Sequence, residues 1–118
     1  MTLIQTSEKY GGNSHLQVTE ISKSLKTIAK DFNCPVICLA QLNRSVESRA
    51  NKRPMMSDIR ESGSVEQDAD VILFLYRESY YDKTVDNHSL EIIVSKNRNG
   101  PVGSITVNYN EHTGRIED

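Results

Sequence analysis

Val36-Ile37-Cys38-Leu39-Ala40 is an unbroken apolar run, entered from Pro35 and left through Gln41. A strand built from it would be apolar on both faces, which is the pattern of a strand buried on both sides in a parallel sheet. Just upstream, Val18, Ile21, Leu25, Ile28 and Phe32 recur at spacings of three and four, while Lys23, Lys26 and Lys30 fall on the other side. That periodicity predicts an amphipathic helix with one buried stripe. Ser14 followed by Gln17 has the form of a capping box at its start, and Asn33 with Pro35 ends it. Before the helix, Thr2-Leu3-Ile4-Gln5 reads as the tail of another strand, followed by a polar turn at Gly11-Gly12. Helix, short loop and buried strand make half of a βαβ unit, with residues 2–5 as its first strand.

Downstream, residues 71–76 form a second apolar run of the same kind. Residues 90–95 and 104–108 are two further strand candidates, joined across Asn99-Gly100-Pro101, a turn that favours an antiparallel hairpin. A last short strand is expected around Arg115 and Ile116. The expected fold class is α/β, with a sheet that is parallel at first and antiparallel at its end. Two connectors stand out. Residues 43–61 are long and basic, and loops of that length are usually functional or disordered. Residues 77–89 are polar, acidic and tyrosine-containing, and read as a surface excursion.

The composition bounds the rest. With 118 residues, 36% hydrophobic and 25% charged, the chain suits one modest domain with one core. Aromatic residues are only 6%, so that core must be mainly aliphatic. No apolar run approaches the roughly 20 residues that span a bilayer, and nothing resembles a signal peptide, so a soluble, cytoplasmic protein without membrane contact is expected. Cys34 and Cys38 lie in or beside an apolar run and read as buried, reduced thiols, and no metal site is expected from the scattered His15, His88 and His112. A net charge of −2 argues against nucleic-acid binding by bulk electrostatics. Yet residues 41–60 hold Arg44, Arg49, Lys52, Arg53 and Arg60 against Glu47 and Asp58, a local charge of +3. A solvated surface run accounts for that excess equally well.

Ligands of open α/β sheets gather beyond the carboxyl ends of strands, and three groups occupy such positions. Gln41 directly follows the run at 36–40, where its amide can bond a phosphate or a water; an ordinary strand-ending polar residue fits too. Arg60-Glu61-Ser62-Gly63-Ser64 precedes a short helical stretch at 65–67, and glycine and serine there expose N–H groups suited to phosphate, with Arg60 adding charge. A plain N-cap is the alternative. Lys96-Asn97-Arg98-Asn99-Gly100 ends a strand in a tight turn, with Lys96 and Arg98 two apart and so expected on one face. Cations held in this way could grip a nucleotide's terminal phosphate, although exposed hairpin cations would look the same. The sequence contains no G-x-x-x-x-G-K-S/T loop, and so no phosphate cradle of its own.

These segments resemble one family, the DnaB-type replicative helicases. Residues 39–47 (Leu-Ala-Gln-Leu-Asn-Arg-Ser-Val-Glu) resemble its third helicase motif, and the nineteen residues 52–70 (Lys-Arg-Pro-Met-Met-Ser-Asp-Ile-Arg-Glu-Ser-Gly-Ser-Val-Glu-Gln-Asp-Ala-Asp) its fourth. Residues 95–103 (Ser-Lys-Asn-Arg-Asn-Gly-Pro-Val-Gly) resemble the segment that carries its trans-acting finger. Residues 8–15 and 77–89 carry no family signature.

The resemblance implies that residues 1–118 are the carboxy-terminal portion of a RecA-like (P-loop NTPase) ATPase domain, partial in its sheet. It implies a ring of six identical subunits that unwinds duplex DNA while translocating on single-stranded DNA, using ATP and Mg2+. Primase and a helicase loader would be partners through the parent protein. Gln41 would couple the terminal phosphate to the DNA loops, and Arg60, Glu61 and Gly63 would hold the DNA backbone. Arg98 would be the arginine finger, with Lys96 beside it, both reaching ATP on the neighbouring subunit. The Walker A and Walker B elements would lie upstream of Met1, leaving this segment inactive and without bound cofactor on its own. Two other readings stay open: a non-enzymatic RecA-fold module that docks on DNA or an ATPase, and a related recombinase or clock ATPase.

Overall fold

The computed structural model of the chain describes residues 14–118, so the strand expected at residues 2–5 and the turn at Gly11-Gly12 lie outside the described residues. The chain divides into two compact units, Met1–Ala69 and Asp70–Asp118.

In the first unit, α1 spans Ser14–Asp31. Its expected stripe is covered only in part: Ile21 is buried and Val18 and Leu25 are half-buried, but Ile28 and Phe32 are exposed. The helix closes as its sequence predicts. Asn33 turns into the left-handed region at φ 48°, and the Cys34 N–H donates to the Ala29 carbonyl at 3.1 Å. Asparagine tolerates that conformation better than most residues, and Pro35 cannot extend a helix. A second helix, α2, spans Ser62–Asp68 and packs against α1, where the Ser22 hydroxyl donates to Asp68 Oδ2 at 2.8 Å.

The expected buried parallel strand at residues 36–40 is not formed. None of these residues joins a ladder, and Ile37 and Leu39 are 88% and 81% exposed. A strand buried on both faces needs paired strands and a covering layer on each side, and among the described residues nothing supplies either. Cys34 and Cys38 share this fate: both are exposed free thiols rather than buried ones.

The second unit is a four-stranded meander in the order β1-β2-β3-β4, with β1 at Val71–Tyr76, β2 at Ser89–Asn97, β3 at Gly103–Asn110 and β4 at Arg115–Glu117. Every pairing in the sheet is antiparallel, which overturns the expected parallel start. For β2–β3 and β3–β4 the connections explain it, because parallel neighbours need a crossover of about a dozen residues or more and the links at 98–102 and 111–114 are far shorter. β1 and β2 are joined through the four-residue helix α3 (Glu78–Tyr81), the other strands through short turns. The 71–76 run is therefore not buried on both faces. Ile72 and Phe74 are buried, whereas Val71, Leu73 and Leu75 are more than half exposed. Strands β2 and β3 form the expected hairpin. Neither Asn99 nor Gly100 takes a positive φ, so the connection is not the two-residue turn that Asn-Gly most often makes.

One irregularity matters for the site. Ile72 pairs with Lys96 but Leu73 pairs with Val94, which leaves Ser95 as an extra residue in β2. An inserted residue reverses the side on which the following side chains point. Val94 keeps the face of Leu73, and Lys96 is moved to the face of Ile72.

Candidate functional site

Within the first unit, an isolated antiparallel bridge joins Leu42 to Ile59, and the Asn43 N–H donates to the Asp58 carbonyl at 2.7 Å. That register sets Gln41 opposite Arg60. Two residues predicted from separate motifs thus flank the same end of this bridge, and both are exposed. Glu61 follows with φ 56° and ψ 44°, a left-handed conformation at the N-cap of α2. For a non-glycine residue this costs on the order of 1 kcal/mol, and such strain tends to collect at functional positions. Gly63 sits inside the first turn of α2 rather than ahead of the helix. Its φ is not positive, and a Cβ added there would meet no heavy atom within 4 Å. Among the described residues, neither backbone conformation nor crowding requires glycine at this place.

The basic connector at 43–61 is folded. Two 3-10 turns, Arg44–Ser48 and Met56–Asp58, are tied by the Arg49 guanidinium, whose Nη1 and Nη2 donate to the two oxygens of Asp58 at 2.6 and 2.8 Å. Arg49 also donates to the carbonyls of Arg53 and Asn51, and the Met55 N–H donates to Asp58 Oδ2 at 2.8 Å. The bond from Arg49 holds the Asp58 carboxyl below the ordinary carboxylate range; burial opposes this, and the Met55 N–H adds to it. Arg49 is therefore a structural cation, and Lys52 bonds its carbonyl at 2.8 Å. Arg44, Arg53 and Arg60 are the exposed cations of the segment. Sequence reasoning treated all five alike, and nothing in the sequence set Asp58 apart from Glu47 as the partner of one of them.

In the second unit, Lys96 lies near the end of β2 and Arg98 is in the turn beyond it. Strand alternation does not extend to Arg98, so the expectation that both cations share one strand face loses its basis. The turn itself is tightly drawn. The Gly100 N–H donates to the Asn97 carbonyl, and the Asn97 amide donates to the Pro101 carbonyl, both at 3.4 Å. A Cβ at Gly100 would come within 2.7 Å of that amide nitrogen. Arg98 is held at two points by one residue: its backbone N–H donates to the Asp70 carbonyl at 2.9 Å, and Nη1 lies 2.9 Å from Asp70 Oδ1. Asp70 was missed as a site residue because it is 28 positions away and ends the motif at 52–70.

The profile of the DnaB-like helicase C terminal domain matches residues 1–118. This chain belongs to that family. It is 54% identical over 110 residues to the replicative DNA helicase DnaC of Bacillus subtilis, and equally to the replicative DNA helicase DnaB of Geobacillus stearothermophilus. In each case 92% of this chain is matched, but it spans only 24% of the relative's length. Among solved structures, a DnaB-like replicative helicase described with its primase interactions superposes with a TM-score of 0.83 at 46% identity, over 87% of this chain and 25% of that one. A solved ATPase domain superposes at 0.84, with 46% identity over 88% of this chain and 37% of that one. Among the described residues of this DnaB-like chain, no helix is long and apolar enough to cross a membrane, and no group of three His, Cys, Asp or Glu could hold a metal ion. The groups that suit a nucleotide are cations for its phosphates, Lys96 and Arg98, both outside any P-loop.

Proposed function

We propose that residues 1–118 are the carboxy-terminal portion of the ATPase domain of a hexameric, ATP-dependent replicative helicase that translocates on single-stranded DNA and unwinds duplex at the fork. The segment supplies two parts of the machine. Arg60, Glu61 and Gly63 form the DNA-contacting edge, with Arg60 neutralising a phosphate and Gly63 admitting the DNA backbone closely, and Gln41 couples the terminal phosphate of ATP to these loops. Lys96 and Arg98 act on the terminal phosphate of ATP bound to the neighbouring subunit; Mg2+, when bound with that ATP, would supply further neutralisation of its phosphate charge. With cations but no cradle, the segment alone hydrolyses no ATP. The cytoplasm is its compartment, and primase and a loader act through the parent protein, as the solved relative described with primase suggests.

The observation that carries this reading is the two-point hold on Arg98 in a braced turn at a strand end. A finger acts by position, since its charge stabilises a transition state only from a fixed place. In the full-length helicase, Arg98→Ala should lower ATP turnover by about 10³-fold or more and leave nucleotide binding close to normal. Turnover within a few-fold of wild type would end the finger assignment.

A further inference from the structure

Resting on that reading of Arg98, we infer that Asp70 is the positioning residue of the finger. The two residues meet twice. The backbone contact, Arg98 N–H to Asp70 carbonyl at 2.9 Å, fixes where the turn leaves the sheet, directly beyond the Val71–Asn97 pair that closes the β1–β2 ladder. The side-chain contact, Nη1 to Oδ1 at 2.9 Å, fixes the direction of the guanidinium. The first contact alone would leave the arginine stem with its full rotamer freedom, which a reacting complex would have to remove. The second restrains that freedom before the phosphate arrives.

The exposure of the pair argues that its role is orientation rather than stability. The Arg98 side chain is 45% exposed and that of Asp70 is 55% exposed. Ion pairs so placed contribute little to folding, so removing the carboxylate should leave the unit folded and release the direction of the finger. A guanidinium carries five N–H donors in a rigid fork, so a bond from Nη1 to Asp70 is compatible with a phosphate oxygen on the same fork. The bulge at Ser95 serves the same end by setting the register in which Asn97 faces Val71 and Arg98 meets Asp70.

The test uses the full-length helicase with Asp70→Ala, Asp70→Asn and Asp70→Glu, measuring ATP turnover with saturating single-stranded DNA and binding of a fluorescent ATP analogue. Asp70→Ala should lower kcat about tenfold to a hundredfold, with KM within about twofold. Asp70→Glu, which keeps the charge, should recover more activity than Asp70→Ala, with Asp70→Asn between them. In mixed rings, Asp70→Ala subunits should be rescued by subunits lacking the Walker A lysine but not by Arg98→Ala subunits. An unchanged or raised kcat in Asp70→Ala, or no recovery by Asp70→Glu, overturns the assignment. If Arg98→Ala abolishes turnover while Asp70→Ala does not, the finger stands and only the positioning role falls. If Arg98→Ala itself turns over normally, the underlying reading fails.

Discussion

A glycine within a helix ordinarily costs about 1 kcal/mol relative to alanine, and at Gly63 nothing among the described residues explains why that cost is borne. A methyl group fits there without contact, so Gly63→Ala should stabilise the first unit by up to about 1 kcal/mol while weakening single-stranded DNA binding. Thermal melting and DNA titration on one preparation separate the two effects, and stronger melting with unchanged affinity would remove Gly63 from the DNA edge. Arg60→Ala should weaken binding across all sequences and reduce the slope of log K against log salt by about 1, as expected for one lost phosphate contact. An unchanged slope would place the contact elsewhere. At this scale the sequence was partly legible. Arg60 and Gly63 stood out as a cation and a small residue near a helix start. The left-handed Glu61 did not, because no local rule marks a glutamate for positive φ, and Asp70 was hidden by its distance in sequence from Arg98.

The connector at 43–61 shows how an element escapes a reading based on composition. Its cations looked interchangeable, yet Arg49 closes a fork on Asp58, whose side chain is 3% exposed. Because the folded state holds the Asp58 proton less tightly than the unfolded chain does, this carboxylate contributes stability in full above its unfolded value of about 3.9. The contribution is lost as pH falls through the lower folded value. Asp58→Asn should therefore lower the melting temperature by several degrees at neutral pH and flatten the acid limb of the stability curve. A variant with the wild-type acid profile would show that the brace carries no pH-dependent stability. The strands divide in the same manner. The hairpin at β2 and β3 was legible because two strand candidates flanked Asn-Gly-Pro, whereas the bulge at Ser95 was not, since no local signal marks a single inserted residue. The 36–40 run misled for a physical reason. Apolarity on both faces records a demand for partners, and the described residues do not meet it.

For the whole molecule, the family was legible in the nineteen residues at 52–70, and the profile match over residues 1–118 agrees with that resemblance. Sheet direction was not, because a parallel strand was inferred from composition without knowledge of its neighbours. The central claim concerns a property no single chain can show, an ATP site completed across a subunit boundary. It is tested most directly by ATP hydrolysis in mixed rings of the full-length helicase, combining Arg98→Ala subunits with subunits lacking the Walker A lysine, each inactive alone. Sites shared between subunits predict activity on mixing, at interfaces where an intact cradle meets an intact Arg98. Mixed rings that form but stay inactive at every ratio would contradict the account, because Arg98 would then act within its own chain or not on ATP at all.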